Sequence, residues 1–144
     1  MSDVINFHYI VDGDDFTSAG EASVNVKKKL RQLGVDPAII RRVSIAMYEG
    51  EVNMVIHANG GFVDVNVYSD KIEIIISDEG PGIENVELAM QEGFSTAPDY
   101  VRSLGFGAGM GLPNMKSYTD EMKIETKIGV GTKITMIVNL QKEN

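Results

Sequence analysis

Cysteine is absent from the 144 residues, which removes disulfides, thiolate zinc sites and cysteine nucleophiles together and fits a reducing compartment. Basic residues are scarce, with 13 Lys and Arg against 21 Asp and Glu, for a net charge of −8. A nucleic-acid surface or an anionic membrane needs a basic footprint, so neither is expected as the main partner. No apolar run approaches the length that spans a bilayer, and the start from Met1 to Asn6 lacks the basic segment and apolar core of a signal peptide. The expected location is therefore cytoplasmic. Internal repeats, low-complexity tracts and linkers are missing too. The length is that of one domain, 1–144, large enough to bury a core without staples.

Glycine, by contrast, is plentiful, and its densest stretch is Gly105-Phe-Gly-Ala-Gly-Met-Gly111. A glycine at every second position permits φ > 0 and lets backbone N–H groups turn toward one point. A helix-like run from Leu112 to Tyr118 follows directly, adding the free N–H groups of a helix start. Such a stretch reads as a phosphate cradle. The alternative is a flexible linker, although linkers mix Gly with Ser and the spacers here are Phe106, Ala108 and Met110. With an acidic chain around it, a phosphate ligand calls for local devices: backbone amides, a lysine such as Lys116, or a bound cation.

Val4 to Val11 is β-branched and aromatic and ends at Asp12-Gly13, a strand and a turn. Ser18-x-x-Glu21 has capping-box spacing, and Ala22, Val26, Leu30 and Leu33 recur at helical intervals up to Gly34. Asp36-Pro37 opens a second helix that runs to about His57. On it Val43, Met47, Gly50 and Met54 form a core stripe, while Ile45, Glu49, Asn53 and His57 line up four apart. Taken alone, that second line also suits a solvated face, and His57 a helix-end histidine. Phe62 to Tyr68 and Lys71 to Ser77 alternate as a hairpin, the second strand central, and run into Asp78-Glu-Gly80-Pro-Gly82-Ile83. A carboxylate at a strand end followed by glycines is a place where a ligand approaches the backbone, or simply an acidic turn.

Glu84 to Gln91 reads as a short helix, Glu92 to Leu104 as a candidate lid, and Met122 to Lys127 as a strand. Gly129-Val-Gly131-Thr132 turns the chain into a last strand with Ile134, Met136, Val138 and Leu140 on one face. The order predicts an α+β two-layer α/β sandwich, helices on one face of a mixed, mainly antiparallel sheet.

Four motifs then stand in series: Glu49-x-x-x-Asn53-x-x-x-His57-Ala58, Asp78-x-Gly80-x-Gly82, Gly107-x-Gly109-x-Gly111 and Gly129-x-Gly131-Thr132. In this order the chain resembles the GHKL (Bergerat-fold) ATPase superfamily, and within it the small bacterial anti-sigma-factor serine/threonine kinases and switch kinases. The resemblance implies a site for ATP and Mg²⁺. Asn53 would bind the metal, and Asp78 would accept from the adenine amino group with help from Gly82 and Thr132. Gly107, Gly109 and Gly111 would wrap the phosphates, and Glu49 would be the general base. His57, Gly80, Ile83, Gly105, Met110 and Leu112, within or beside these motifs, complete the expected nucleotide-binding set. The implied partners are a small STAS-type anti-sigma antagonist, a sigma factor and, since family members often dimerise, a second copy. A non-catalytic, ATP-gated module that sequesters a regulator is the alternative. Gly50, beside the expected base, costs a helix about 1 kcal/mol relative to Ala.

Overall fold

The structure, a computed structural model, describes residues 4–13, 20–58, 60–91 and 111–140. Its elements are β1 (Ile5–Asp12), α1 (Glu21–Gln32), α2 (Pro37–His57), β2 (Gly60–Val67), β3 (Lys71–Asp78), α3 (Val86–Ala89), α4 (Gly111–Ser117), β4 (Glu121–Lys127) and β5 (Gly131–Asn139). The strands form a single sheet in the order β1-β2-β3-β5-β4. Period-two alternation makes one face of it apolar: Val63, Val65 and Val67, then Ile72, Ile74 and Ile76, then Ile134, Met136 and Val138 are buried. Against that face pack Val26 and Leu30 of α1, Val43, Met47 and Met54 of α2, and Met115 of α4. Each such side chain contributes about 1.5–3 kcal/mol by leaving water. The two-layer α+β sandwich expected from the sequence is what forms.

One expectation fails. All four described pairings are antiparallel, so among the described residues the sheet is not mixed. The long connection from β3 to β4 does bring β4 back in the direction of β3. However, β5 hairpins off β4 and takes the place beside β3, separating the two parallel strands.

Helix α2 begins as its sequence indicates, with the Asp36 side chain accepting from Ala38 N–H at 2.8 Å and Pro37 in the first turn. Gly50 faces β3 so closely that an added Cβ would collide with the Ile76 side chain. The missing side chain, at a helix-propensity cost, is what lets α2 sit down on the central strand.

Helix α1 begins otherwise than expected. Its N-cap is Gly20, at φ 103° and with no side-chain cap of its own. The expected capping box needs Ser18, which lies outside the described residues. The cap comes instead from α2. Glu51, 2% exposed, accepts from Gly20 N–H at 3.2 Å and Ala22 N–H at 3.0 Å on Oε1, and from Ser23 N–H at 3.1 Å on Oε2. Gly20 must be glycine for two reasons: its φ is positive, and a Cβ would stand 2.9 Å from Tyr48 Cδ1. Leu33, expected in the apolar stripe of α1, is 47% exposed, because the helix has ended one residue before it.

Candidate functional site

Glu49 and Asn53 lie one turn apart on α2 and present both side chains to the start of α4. A Cβ at Gly111 would stand 3.8 Å from Glu49 Oε2 and 3.8 Å from Asn53 Oδ1. Asn114, on the first turn of α4, donates its amide to Glu49 Oε1 at 3.3 Å. The Glu49 carboxyl is half-buried, and that burial raises its pKa above the usual glutamate value while the Asn114 hydrogen bond pulls the other way. This corner therefore holds one carboxylate, raised toward the range useful to a proton acceptor, beside one amide oxygen. His57 closes α2, and burial lowers its pKa, so the neutral imidazole is favoured.

A second corner forms where β3, β5 and β4 end together. Asp78 stands opposite Thr132, and Thr132 opposite Thr126, a row across three strands on the helix-covered face. Asp78 Oδ1 accepts from Gly80 N–H at 2.9 Å and Thr132 N–H at 3.2 Å, which fixes the carboxylate at the strand end. Thr132, 8% exposed, has its hydroxyl 2.9 Å from Thr126 Oγ1, which also accepts from Ile83 N–H at 2.9 Å. Gly129 N–H donates to Pro81 O at 2.9 Å. Gly82, at φ 82°, lies against the Lys127 carbonyl, where a Cβ would come within 2.6 Å of the oxygen. The Asp-x-Gly-x-Gly loop is thus fastened to the β4–β5 hairpin at both ends. Gly80 also joins the corners, since its Cβ would stand 2.6 Å from Ala58 Cβ at the end of α2.

Of the residues expected at the site, Glu49, Asn53 and Gly111 come together in the first corner, and Asp78, Gly80, Gly82, Ile83 and Thr132 in the second. Leu112 is buried in the core and holds α4 in place. Gly105, Gly107, Gly109, Met110 and the candidate lid 92–104 lie outside the described residues. Lys116 is exposed in the last turn of α4, away from Gly111.

Three residues escaped sequence reasoning. Asn114 carries no local signal. Thr126 does carry one, being the polar member of the inward series Met122, Ile124, Thr126. Glu51 lies four residues after Met47 and four before Val55, a charge on an apolar stripe, and the structure shows it as the cap of α1.

The profile of the histidine kinase-like ATPase domain matches residues 15–138. The chain belongs to that family. An anti-sigma F factor of Clostridium acetobutylicum is 38% identical over 109 residues, covering 71% of this chain and 73% of the relative. The serine/threonine-protein kinase RsbT of Bacillus subtilis is 32% identical over 127 residues, covering 85% and 87%. The fold is shared with the crystal structure of the RsbU and RsbW domains of a Mycobacterium tuberculosis protein. That match has a TM-score of 0.66 at 17% identity over 96% of this chain and 33% of the other. The superfamily resemblance carried by the four motifs is borne out. Among the described residues no helix is long and apolar enough to cross a membrane.

Proposed function

We propose that this chain is an ATP-dependent serine/threonine-protein kinase of the anti-sigma regulator type, acting on a small STAS-type partner protein. The observation that carries the proposal is the first corner, where a raised-pKa carboxylate and an amide oxygen converge on Gly111. Phosphoryl transfer needs such a pairing, a hard oxygen for the metal and an acceptor for the hydroxyl proton. The donor set suits Mg²⁺, which keeps several waters and needs few protein ligands, and among the described residues no group of three His, Cys, Asp or Glu offers a protein cage. ATP bound with Mg²⁺ supplies the phosphoryl group and the metal neutralises its charge. Asp78, held at its strand end, offers a carboxylate acceptor suited to an exocyclic amino group, which adenine has at that position and guanine lacks. Glu49, ionised, would accept the proton of the partner's serine or threonine hydroxyl as that oxygen bonds to the γ-phosphorus and the bond from phosphorus to the bridging oxygen breaks, ADP leaving with that oxygen.

The test is transfer from labelled ATP to candidate STAS-type proteins of the same genome, with peptide mapping of the label. Wild type is expected to label a serine or threonine. Glu49→Gln is expected to bind ATP as well as wild type and to transfer about 100-fold more slowly. An ATP-dependent complex that never labels its partner would replace the kinase by a nucleotide-gated binding module.

A further inference from the structure

Helix α4 is only seven residues long, and whatever fixes it along α2 decides where its first residue stands. Leu112 and Met115 hold it against the core, but apolar contact is non-directional and leaves sliding open. Among the described residues, two polar ties to one face of α2 supply the direction. Near the start of α4, Asn114 donates to Glu49 Oε1 at 3.3 Å. At its end, Arg42 Nε donates to Tyr118 O at 3.1 Å, and Tyr118 N–H closes the last turn onto Asn114 O at 3.1 Å. Arg42 precedes Glu49 by two helical turns, about 10 Å along the same face, so the two helices run antiparallel. The Arg42 side chain is itself held from the other side. Its Nη2 lies 3.1 Å from Asp120 Oδ1, while Asp120 Oδ2 accepts from Asn139 N–H at 2.7 Å and Asp120 N–H donates to Ile137 O at 2.8 Å. The guanidinium therefore ties the end of α4 to the end of β5.

We infer that Arg42 is a positioning residue for the Glu49–Asn53 corner: by bridging the Tyr118 carbonyl and Asp120 it fixes α4 along α2, and with it Gly111 beside Glu49 and Asn53. The inference rests on the phosphate-side site proposed above. Gly111 and Tyr118 are the two ends of one short helix, so a slip at Tyr118 reappears at Gly111 and at Asn114. Asp78 and Thr132 stand on β3 and β5 and do not move with that helix. The side chains of Arg42 and Asp120 are 30% and 34% exposed, so the ion pair adds little to stability, and what it contributes is geometry. A planar guanidinium serves two acceptors in a fixed fork, which an ammonium on a flexible stem does not. Arg42 acts through α4.

The experiment compares wild type, Arg42→Ala, Arg42→Lys and Asn53→Ala in Mg²⁺-ATP binding by calorimetry, adenosine binding by NMR titration, and urea unfolding. Arg42→Ala should weaken Mg²⁺-ATP roughly threefold to tenfold, the size of a hydrogen bond lost at the site, and bind adenosine as wild type does, since adenosine has no phosphate to meet the displaced corner. Arg42→Lys keeps a cation for Asp120 and loses the fork. It should unfold at the wild-type urea midpoint and still weaken Mg²⁺-ATP alone, which separates placement from stability even if Arg42→Ala fails to fold. Transfer to a partner that wild type labels should fall about 100-fold in Arg42→Ala, the usual consequence of misplacing a reacting group by about 1 Å. Wild-type affinity for Mg²⁺-ATP in both Arg42 variants would overturn the inference and leave Arg42 a surface contact of the helix end. Equal weakening of adenosine and Mg²⁺-ATP would overturn it as well, because Arg42 would then act on the whole fold. If Asn53→Ala binds Mg²⁺-ATP like wild type, the corner itself is misplaced and the inference falls with it, an outcome told apart by a variant that leaves Arg42 intact.

Discussion

At Glu49 two opposing effects meet in one carboxyl group, and their sum sets the pH range in which it is ionised. Burial raises its pKa, and the Asn114 amide, which bonds best to the ionised form, lowers it. The base proposed above acts only when ionised, so if Glu49 is that base the rate of transfer should fall as pH drops through its pKa. That acid limb belongs above the range of an exposed glutamate. Replacing Asn114 by Ala removes the lowering influence and leaves the burial. The acid limb of kcat/KM should therefore move to higher pH, with the rate on the alkaline side of the limb little changed. Superimposable acid limbs for the two proteins would mean that Glu49 is not the titrating base.

Helices α1 and α2 are joined by a cap that neither contains alone. Glu51 satisfies three backbone N–H groups at and before the first turn of α1, so truncation to Ala would strand buried donors at a cost of about 2 kcal/mol. Urea unfolding should show a lower midpoint for Glu51→Ala at unchanged slope. A change within about 0.5 kcal/mol would mean that water replaces the carboxylate without loss. The pH dependence has a definite sign. Burial is the largest influence on the Glu51 carboxyl and raises its pKa in the folded chain, against the N–H bonds that lower it. The raised value means that the folded state holds the proton longer than the unfolded state. Stability from this group is then full below the unfolded pKa and declines as pH rises through the folded one. The margin of wild type over Glu51→Gln should shrink over that window.

Across the whole molecule, α2 is the beam that spans both corners. It carries Glu49 and Asn53 in its middle turns, rests Gly50 on β3 and ends at Ala58 against Gly80. A ligand that bridges the corners should stabilise the entire fold, since it binds only where both are assembled. Mg²⁺-ATP at about 100 times its Kd should add about 2.7 kcal/mol, which for a chain of this size is roughly 8 °C in Tm. Asn53→Ala should lose the part of that shift contributed by magnesium and keep the part given by nucleotide alone. Identical magnesium dependence in both proteins would return Asn53 to the role of a solvated surface residue.

Much of this was written in consecutive residues. The alternation of Val63, Val65 and Val67, the Asp36-Pro37 start of α2 and the four-residue step from Glu49 to Asn53 are local patterns. A period or a cap depends only on near neighbours, so the strands, the long helix and the shared orientation of Glu49 and Asn53 were legible without a structure. Other features depend on which surface meets which. That β5 inserts between β3 and β4, that Glu51 caps a helix not its own, and that Thr126 connects Ile83 to Thr132 are decided by contacts between segments far apart in the chain. Gly50 shows the division at a single residue: that the glycine weakens α2 follows from helix propensity alone, whereas the reason it is there lies in the packing of α2 on β3, where the space a side chain would need is filled by Ile76.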